Sequence, residues 1–338
     1  MKNKLNNKSI LITGGTGSFG STFIKTFLKK YKPKRLIIFS RDEQKHFKMQ
    51  ETYSDDPPSP VRYFLGDVRD VDRLDFAMRD VDIVIHTAAL KHVPLAEYNP
   101  FEVVKTNILG AQNIIQASIK NNVEKVIALS TDKASSPVNL YGATKLVSDK
   151  LFVAANNYKG KSKIKFSVVR YGNVMGSRGS FISYLVKNKN KKFISVTNQD
   201  MTRFNITLNE SVDFVFNCID KMWGGEIFVP KIPSYKVTDL VKAISPKSKI
   251  KIVGIRPGEK KHEEMVSIDE SINTIEFKNY FVIAPNSKFL SWNKKKYILK
   301  NKNCKPCKNN FSYNSKNNSK FLSPSDLRKI IQKNKIIF

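Results

Sequence analysis

Tyr141 and Lys145 stand four residues apart in the run Tyr141-Gly142-Ala143-Thr144-Lys145, a spacing that sets a phenol and an ammonium on one face of a helix. A phenol with a free pKa near 10 ionises near neutrality only if its anion is favoured by ~4 kcal/mol, at 1.36 kcal/mol per unit. A neighbouring lysine contributes part of that, and a second positive group in the site the rest. Such a pair is common on solvated helices. Here it follows Leu129-Ser130-Thr131-Asp132-Lys133, a strand that ends in Ser, Thr and Asp.

A source of the second positive group lies near the N-terminus. Gly14, Gly17 and Gly20 recur every third residue in Thr13-Gly14-Gly15-Thr16-Gly17-Ser18-Phe19-Gly20, between an apolar run and a helical pattern. Glycines there allow a tight turn, let the backbone approach a pyrophosphate, and pack the helix closely, with the phosphates at its positive N-terminus. With a strand before and a helix after, the spacing reads as a dinucleotide site that includes Thr16, Ser18 and Phe19. The next apolar run ends Phe39-Ser40-Arg41-Asp42, with Lys45 a turn later. Arg41 offers planar donors suited to a 2′-phosphate, so NADP is expected rather than NAD, although Asp42 stands where a ribose-binding acid would. Asp67 and Val68, after the third run, are placed to touch the adenine.

The elements that must position these groups alternate in a regular way. Short β-rich apolar runs at 9–13, 35–40, 61–66, 81–87, 125–130 and 165–171 alternate with amphipathic stretches. One carries Phe19, Phe23 and Phe27 on a single face, and a longer one runs over 101–121. Six strands with crossovers make an α/β fold, a doubly wound parallel sheet of Rossmann type. After Val174 the rhythm changes to Lys/Asn-rich segments punctuated by Pro230, Pro233, Pro246 and Pro257. The expectation is a Rossmann domain over 1–174, with about 205–225 packing back on it, and a smaller, partly discontinuous α/β substrate domain over 175–338. Ser323-Pro324 reads as an N-cap and first-turn proline of a short terminal helix.

With these motifs in place, the chain resembles the extended short-chain dehydrogenase/reductase family, and within it the inverting UDP-N-acetylglucosamine 4,6-dehydratases of pseudaminic acid synthesis. TGGTGSFG, FSRDE, GDVRD, ALKHVPLAEYNP, KTNILGAQN, LSTDKA, NLYGATKL, RYGNVMGSRGS, MTRF, GGEIFVPKIPS, IRPGEK and a closing YNS carry the resemblance. It implies that Thr131, Asp132, Lys133, Tyr141 and Lys145 are catalytic. Tyr141 would take the 4-OH proton, a neutral Lys133 the C5 proton, and Asp132 would protonate the departing 6-OH. It places Ala88, Lys91 and Val174 near the nicotinamide, Lys91 and Asn173 near the sugar, and Arg178, Arg203, Arg256 and Glu259 around the UDP, where guanidinium groups suit a diphosphate. Retaining relatives carry Asp-Glu where this chain has Asp132-Lys133. A UDP-hexose 4-epimerase and a capsule-pathway dehydratase/epimerase are the alternatives. Tyr141 stands where the capsule enzymes often have Met. UDP-N-acetylglucosamine is the expected substrate and a homo-oligomer the expected assembly.

Composition narrows the remaining classes. The 338 residues are 41% hydrophobic and 26% charged, which suits a folded globular chain rather than a fibrous or disordered one. The net charge is +30, of which the segment from Asn286 onward carries 14 basic residues against Asp326 alone. These are interleaved with Asn and Ser and accompany no nucleic-acid-binding motif, so a solvated basic surface is expected and nucleic acid is not an expected partner. Three cysteines are too few for a disulfide framework, and Cys304-Lys305-Pro306-Cys307 lacks the ligands a zinc site needs, so a loop is expected there and no metal. His46, His86, His92 and His262 lack ligand spacing. No apolar run reaches the ~18 residues of a membrane span and no leader precedes the first strand, so the expected location is cytoplasmic.

Overall fold

Buried on every residue, the run Ser9–Thr13 (β1) is the kind of continuous apolar strand that a parallel sheet covered on both faces demands. A computed structural model describes residues 4–286, 292–301 and 303–336; Lys288 and Lys302 of the basic segment lie outside the described residues. β2 (Arg35–Ser40), β3 (Val61–Leu65), β4 (Ile83–His86), β5 (Lys125–Thr131) and β6 (Lys165–Tyr171) join β1 in the order β3-β2-β1-β4-β5-β6. Every pair is parallel, so the expected doubly wound sheet is present. The order reverses between β1 and β4, which opens a crevice at the carboxyl ends of the strands.

The same sheet continues with Ile227–Pro230, parallel to β6, and then with Tyr280–Ile283, Thr274–Phe277 and Cys304–Pro306, all antiparallel. Chain beyond residue 174 therefore contributes to two bodies. One part extends the sheet. The other builds a second core from Met175, Leu185, Ile194, Val196, Leu240 and Val241, closed by Leu327 and Ile331 of the terminal helix Pro324–Lys333. Ser323 caps that helix as its sequence suggests. The stretch Cys304–Pro306, expected as a loop, is an edge strand because its backbone finds Thr274–Phe277 to pair with.

Helix Ser18–Lys30 buries Phe23, Ile24 and Phe27, and helix Leu208–Lys221 packs on it through Phe216, whose ring lies 5.1 Å from that of Phe23. Aromatic packing joins the two helices, each such buried side chain being worth about 1.5–3 kcal/mol. The helical pattern at 101–121 is interrupted. Pro100–Val104 and Gly110–Lys120 are α-helical, but Lys105–Leu109 forms a π turn. Its Asn107 is turned toward the loop after β4, donating to the Leu90 carbonyl and to Thr144 Oγ1 and accepting from the Leu90 N–H.

Candidate active site

The carboxyl ends of β1 to β6 meet at one cleft of ≈ 1540 Å³, and every site residue named from the sequence lines it. On the first side, Gly14 adopts φ +63°, and a methyl there would stand 2.8 Å from Thr87 Oγ1. A methyl on Gly20 would lie 2.2 Å from the Gly15 carbonyl oxygen, so the helix can come this close to the turn only without one. Helix Ser18–Lys30 starts at Gly17 with no side-chain cap and no acid in its first turn. Its first N–H groups and the bare turn form a cradle that fits a pyrophosphate. Thr16 and Ser40 hydroxyls lie 2.8 Å apart beneath it.

At the end of β2, Asp42 caps helix Glu43–Gln50 by accepting from Lys45 N–H at 2.9 Å, and its other oxygen pairs with the Lys45 ammonium. Those bonds hold its carboxyl below the usual range. Arg41 reaches Asp67 at 3.3 Å, and Arg69 holds the same carboxylate at 2.7 Å. Arg178, expected around a diphosphate, instead lies over the glycine turn. Its N–H donates to Ser18 Oγ at 3.0 Å and its guanidinium to the Thr16 carbonyl, while Lys91 Nζ donates to the Arg178 carbonyl at 3.3 Å.

In the centre stand Thr131, Asp132 and Lys133, carried where β5 runs into a single 3₁₀ turn. Asp132 is wholly buried. Its Oδ1 accepts from Thr131 Oγ1 at 3.0 Å and from Lys133 Nζ at 3.1 Å, and its Oδ2 has no partner among the described residues. Burial raises this carboxyl above its ordinary pKa, against the pull of Lys133. Tyr141 and Lys145 lie on helix Leu140–Tyr158, capped by Asn139, which also donates to the Gly258 carbonyl at 2.8 Å. Burial pushes the Tyr141 phenol up to about 12; the strongest opposing influence is the charge of Lys133, not Lys145. Lys145 is itself lowered by burial, which Asp149 opposes. Asp149 is held by Ser130 Oγ at 2.8 Å and Arg170 at 3.4 Å.

Two features were not foreseen in the sequence. The charged form of Lys133 is favoured: burial works against its charge, but Asp132 and a second carboxylate outweigh burial and hold the amine above its ordinary value. That second carboxylate is Glu263, buried, 3.1 Å from Lys133 Nζ, and named by no sequence argument. Arg203 is drawn to the same carboxylate at 3.6 Å and to the carbonyls of Thr202 and Lys261. Asn107 was also missed; an Asn on the apolar face of a helix was its only signal.

On the far side, Arg256 and Glu259 form a turn closed by backbone bonds around Gly258 at φ +78°. Asn173 follows β6 with a buried Oδ1 that has no partner among the described residues, and Val174 lies beside it. His86 and His262 are each hydrogen-bonded to a threonine, Thr13 at 2.9 Å and Thr202 at 2.8 Å.

A family described as "Polysaccharide biosynthesis protein" matches residues 10–285. The chain belongs to this family. It is 55% identical over 331 residues, 96% of this chain and 98% of the relative, to a UDP-N-acetylglucosamine 4,6-dehydratase (inverting) of Campylobacter jejuni subsp. jejuni serotype O:2. A UDP-glucose 4-epimerase of Rickettsia bellii is 41% identical, over 85% of this chain and 86% of that one. Among solved structures, Pen from Bacillus thuringiensis superimposes with a TM-score of 0.88 at 38% identity, over 98% of this chain and 99% of that one. The dTDP-glucose 4,6-dehydratase DesIV of Streptomyces venezuelae shares the fold, with a TM-score of 0.66 at 20% identity over 75% of this chain and 86% of that one. The resemblance read from the motifs thus holds along nearly the whole chain. Among the described residues no helix is long and apolar enough to cross a membrane.

Proposed function

We propose that this chain converts UDP-N-acetylglucosamine to UDP-2-acetamido-2,6-dideoxy-β-L-arabino-hex-4-ulose, with NADP as a recycled cofactor, at the first step of pseudaminic acid synthesis. One observation carries the reading: Asp132 and Lys133 are paired and enclosed at the end of β5, in the same cleft as Tyr141. Inverting C4 alone needs a phenol and its lysine; it has no use for a second acid and amine. The 55% identity to an inverting dehydratase supports the same choice.

A bound nicotinamide supplies the acceptor for hydride leaving C4 and its donor to C6. Tyr141, once its phenol has ionised under the charge of Lys133 and of an oxidised nicotinamide, would take the proton of the 4-OH at Oη, and the resulting ketone acidifies the C5 hydrogen. Lys133 removes that hydrogen as a proton. Asp132, whose carboxyl burial makes easier to protonate, gives a proton to the 6-oxygen, which leaves as water. A proton returned to C5 from the opposite face inverts that centre. For all of this Lys133 must first lose the proton it holds.

NADP is favoured over NAD by the occupation of Asp42: with one oxygen on a helix N-terminus and the other on Lys45, it is engaged away from a ribose, while Arg41 stands half exposed beside it. Exposed Leu95, Tyr98, Phe101 and Leu109, close in sequence and all apolar, support assembly into a homo-oligomer.

Purified protein given UDP-N-acetylglucosamine and NADP, with no net oxidant, is expected to release a 4-keto-6-deoxy sugar nucleotide. Recovery of UDP-N-acetylgalactosamine alone would establish an epimerase, the activity for which the Rickettsia relative is named.

A further inference from the structure

Lys133 faces two carboxyl groups, and only one of them has a place in the reaction proposed above. Glu263 approaches from a segment 130 residues further along the chain and sets Oε1 3.1 Å from Lys133 Nζ. It is 2% exposed, and its Oε2 is buried with no partner among the described residues. A buried carboxylate is costly unless it is paired, and the cations that compensate this one, Lys133 and Arg203, both line the cleft. Its backbone is fixed with care. The Glu263 N–H donates to Ser315 Oγ at 2.9 Å, the Ser315 N–H donates to the Glu263 carbonyl at 2.8 Å, and Ser315 Oγ lies 2.7 Å from Thr202 Oγ1. Ser315 ends the closing YNS motif, which otherwise has no part in the site.

We propose that Glu263 is the proton acceptor that arms Lys133: a positioning residue that acts through the amine and makes it a base. The inference rests on the dehydratase reading. In the arming step an N–H bond of the Lys133 ammonium breaks and an O–H bond forms on Glu263, leaving a lone pair on Nζ. That pair then takes the C5 proton, and the C–H electrons enter the enolate of the 4-ketone. The enolate expels the 6-oxygen, which leaves as water with the proton of Asp132. One proton is thus stored on Glu263 while another moves through Lys133, and no co-reactant is needed. Two carboxyl groups divide the work: Asp132, which burial raises, gives a proton, and Glu263, which its cationic neighbours lower, receives one. The ionised state of Glu263 fits its surroundings, since Lys133, Arg203 and Lys260 outweigh the effect of burial. Tyr141 and Tyr235 also lie among the titratable groups that feel the charge of Lys133.

The test compares wild type, Glu263→Gln and Glu263→Asp, each loaded with NADP, in single turnovers of UDP-N-acetylglucosamine. Glu263→Gln should still oxidise C4, so that the reduced-nicotinamide absorbance rises and persists, while water loss falls about 100-fold, the low end of what a positioned proton acceptor contributes. Its rate should then climb with pH toward the alkaline side, as hydroxide replaces the missing acceptor. Glu263→Asp, which keeps the carboxylate, should lose less and retain the wild-type pH profile. The proposal is overturned if Gln and Asp variants behave alike, if the Gln variant eliminates water at the wild-type rate, or if C4 oxidation and elimination fall together. Should wild type itself yield only a C4 epimer, the dehydratase reading fails instead, and the two failures are distinct.

Discussion

Substituting Gly142 by Ala tests whether the distance between two short segments governs the chemistry. Gly142 sits between Tyr141 and Lys145 on helix Leu140–Tyr158, facing the turn that carries Lys133. A methyl added there would stand 2.2 Å from the Lys133 carbonyl oxygen and 3.1 Å from Pro137 Cβ. Cβ atoms essentially never approach closer than 3.0 Å, so helix and turn must separate by at least 0.8 Å. Two effects oppose each other. Alanine gains about 1 kcal/mol over glycine in a helix interior, while overpacking a rigid contact costs about 1–3 kcal/mol. The clash is with backbone on both sides and cannot be relieved by a rotamer, so overpacking wins and a modest net loss of stability follows. Activity should suffer more, because a displacement of about 1 Å between reacting groups costs about 100-fold in rate. Steady-state kinetics, thermal melts and NADP titration on one preparation separate the outcomes. We expect kcat to fall about 100-fold with NADP affinity within a few-fold of wild type, since the atoms an added methyl would meet belong to Lys133 and Pro137 and not to the glycine cradle. Wild-type turnover with an unchanged melting temperature would refute the reasoning.

Further consequences follow from charge. His86, the last residue of β4, is fully buried, and burial, aided by Lys145, depresses it from 6.5 to about 3. An unfolded chain takes up a proton there below pH 6.5 and the folded chain does not, so this stability is present above pH 6.5 and is lost as pH falls toward 3. The unfolding free energy from urea titrations should drop by up to about 1.4 kcal/mol for each unit below 6.5, and His86→Gln should flatten that slope by one proton; an identical slope in the variant would remove His86 from the account. Arg41→Ala should weaken NADP at least tenfold while leaving NAD within about twofold, as expected for a lost charge-assisted bond of about 1.5–3 kcal/mol; equal losses for both nucleotides in a binding titration would return the choice of cofactor to Asp42.

How much of this was legible in the sequence depended on whether the signal was local. β1 to β6 were readable because parallel strands buried on both faces are unbroken apolar runs, and turns such as Pro57-Pro58 punctuate them. The glycine cradle and the Tyr141–Lys145 face were readable because each is one short stretch with one spacing. Cys304–Pro306 was not, since its strand character comes from Thr274–Phe277, about 30 residues earlier. The charge of Lys133 failed for the same reason. Glu263 lies in the run Lys260-Lys261-His262-Glu263-Glu264, where nothing local tells a buried carboxylate from a solvated one. Only the pairing of Glu264–Val266 with Tyr313–Asn314 and the bond to Ser315 carry it inward. The π turn at Lys105–Leu109 was hidden too, because one extra residue in a turn barely disturbs the helical spacing of the apolar side chains around it.

The central claim is that one cleft removes a proton from C5, expels the 6-oxygen and returns hydride within the same sugar. Turnover of UDP-N-acetylglucosamine labelled with deuterium at C4, and in parallel of unlabelled substrate in heavy water, followed by NMR of the product, tests it most directly. The account predicts C4 deuterium at C6 in the first case, and in the second solvent deuterium at C5 with that centre inverted. Retention of the original hydrogen at C5, or of label at C4 of an epimer, would contradict it.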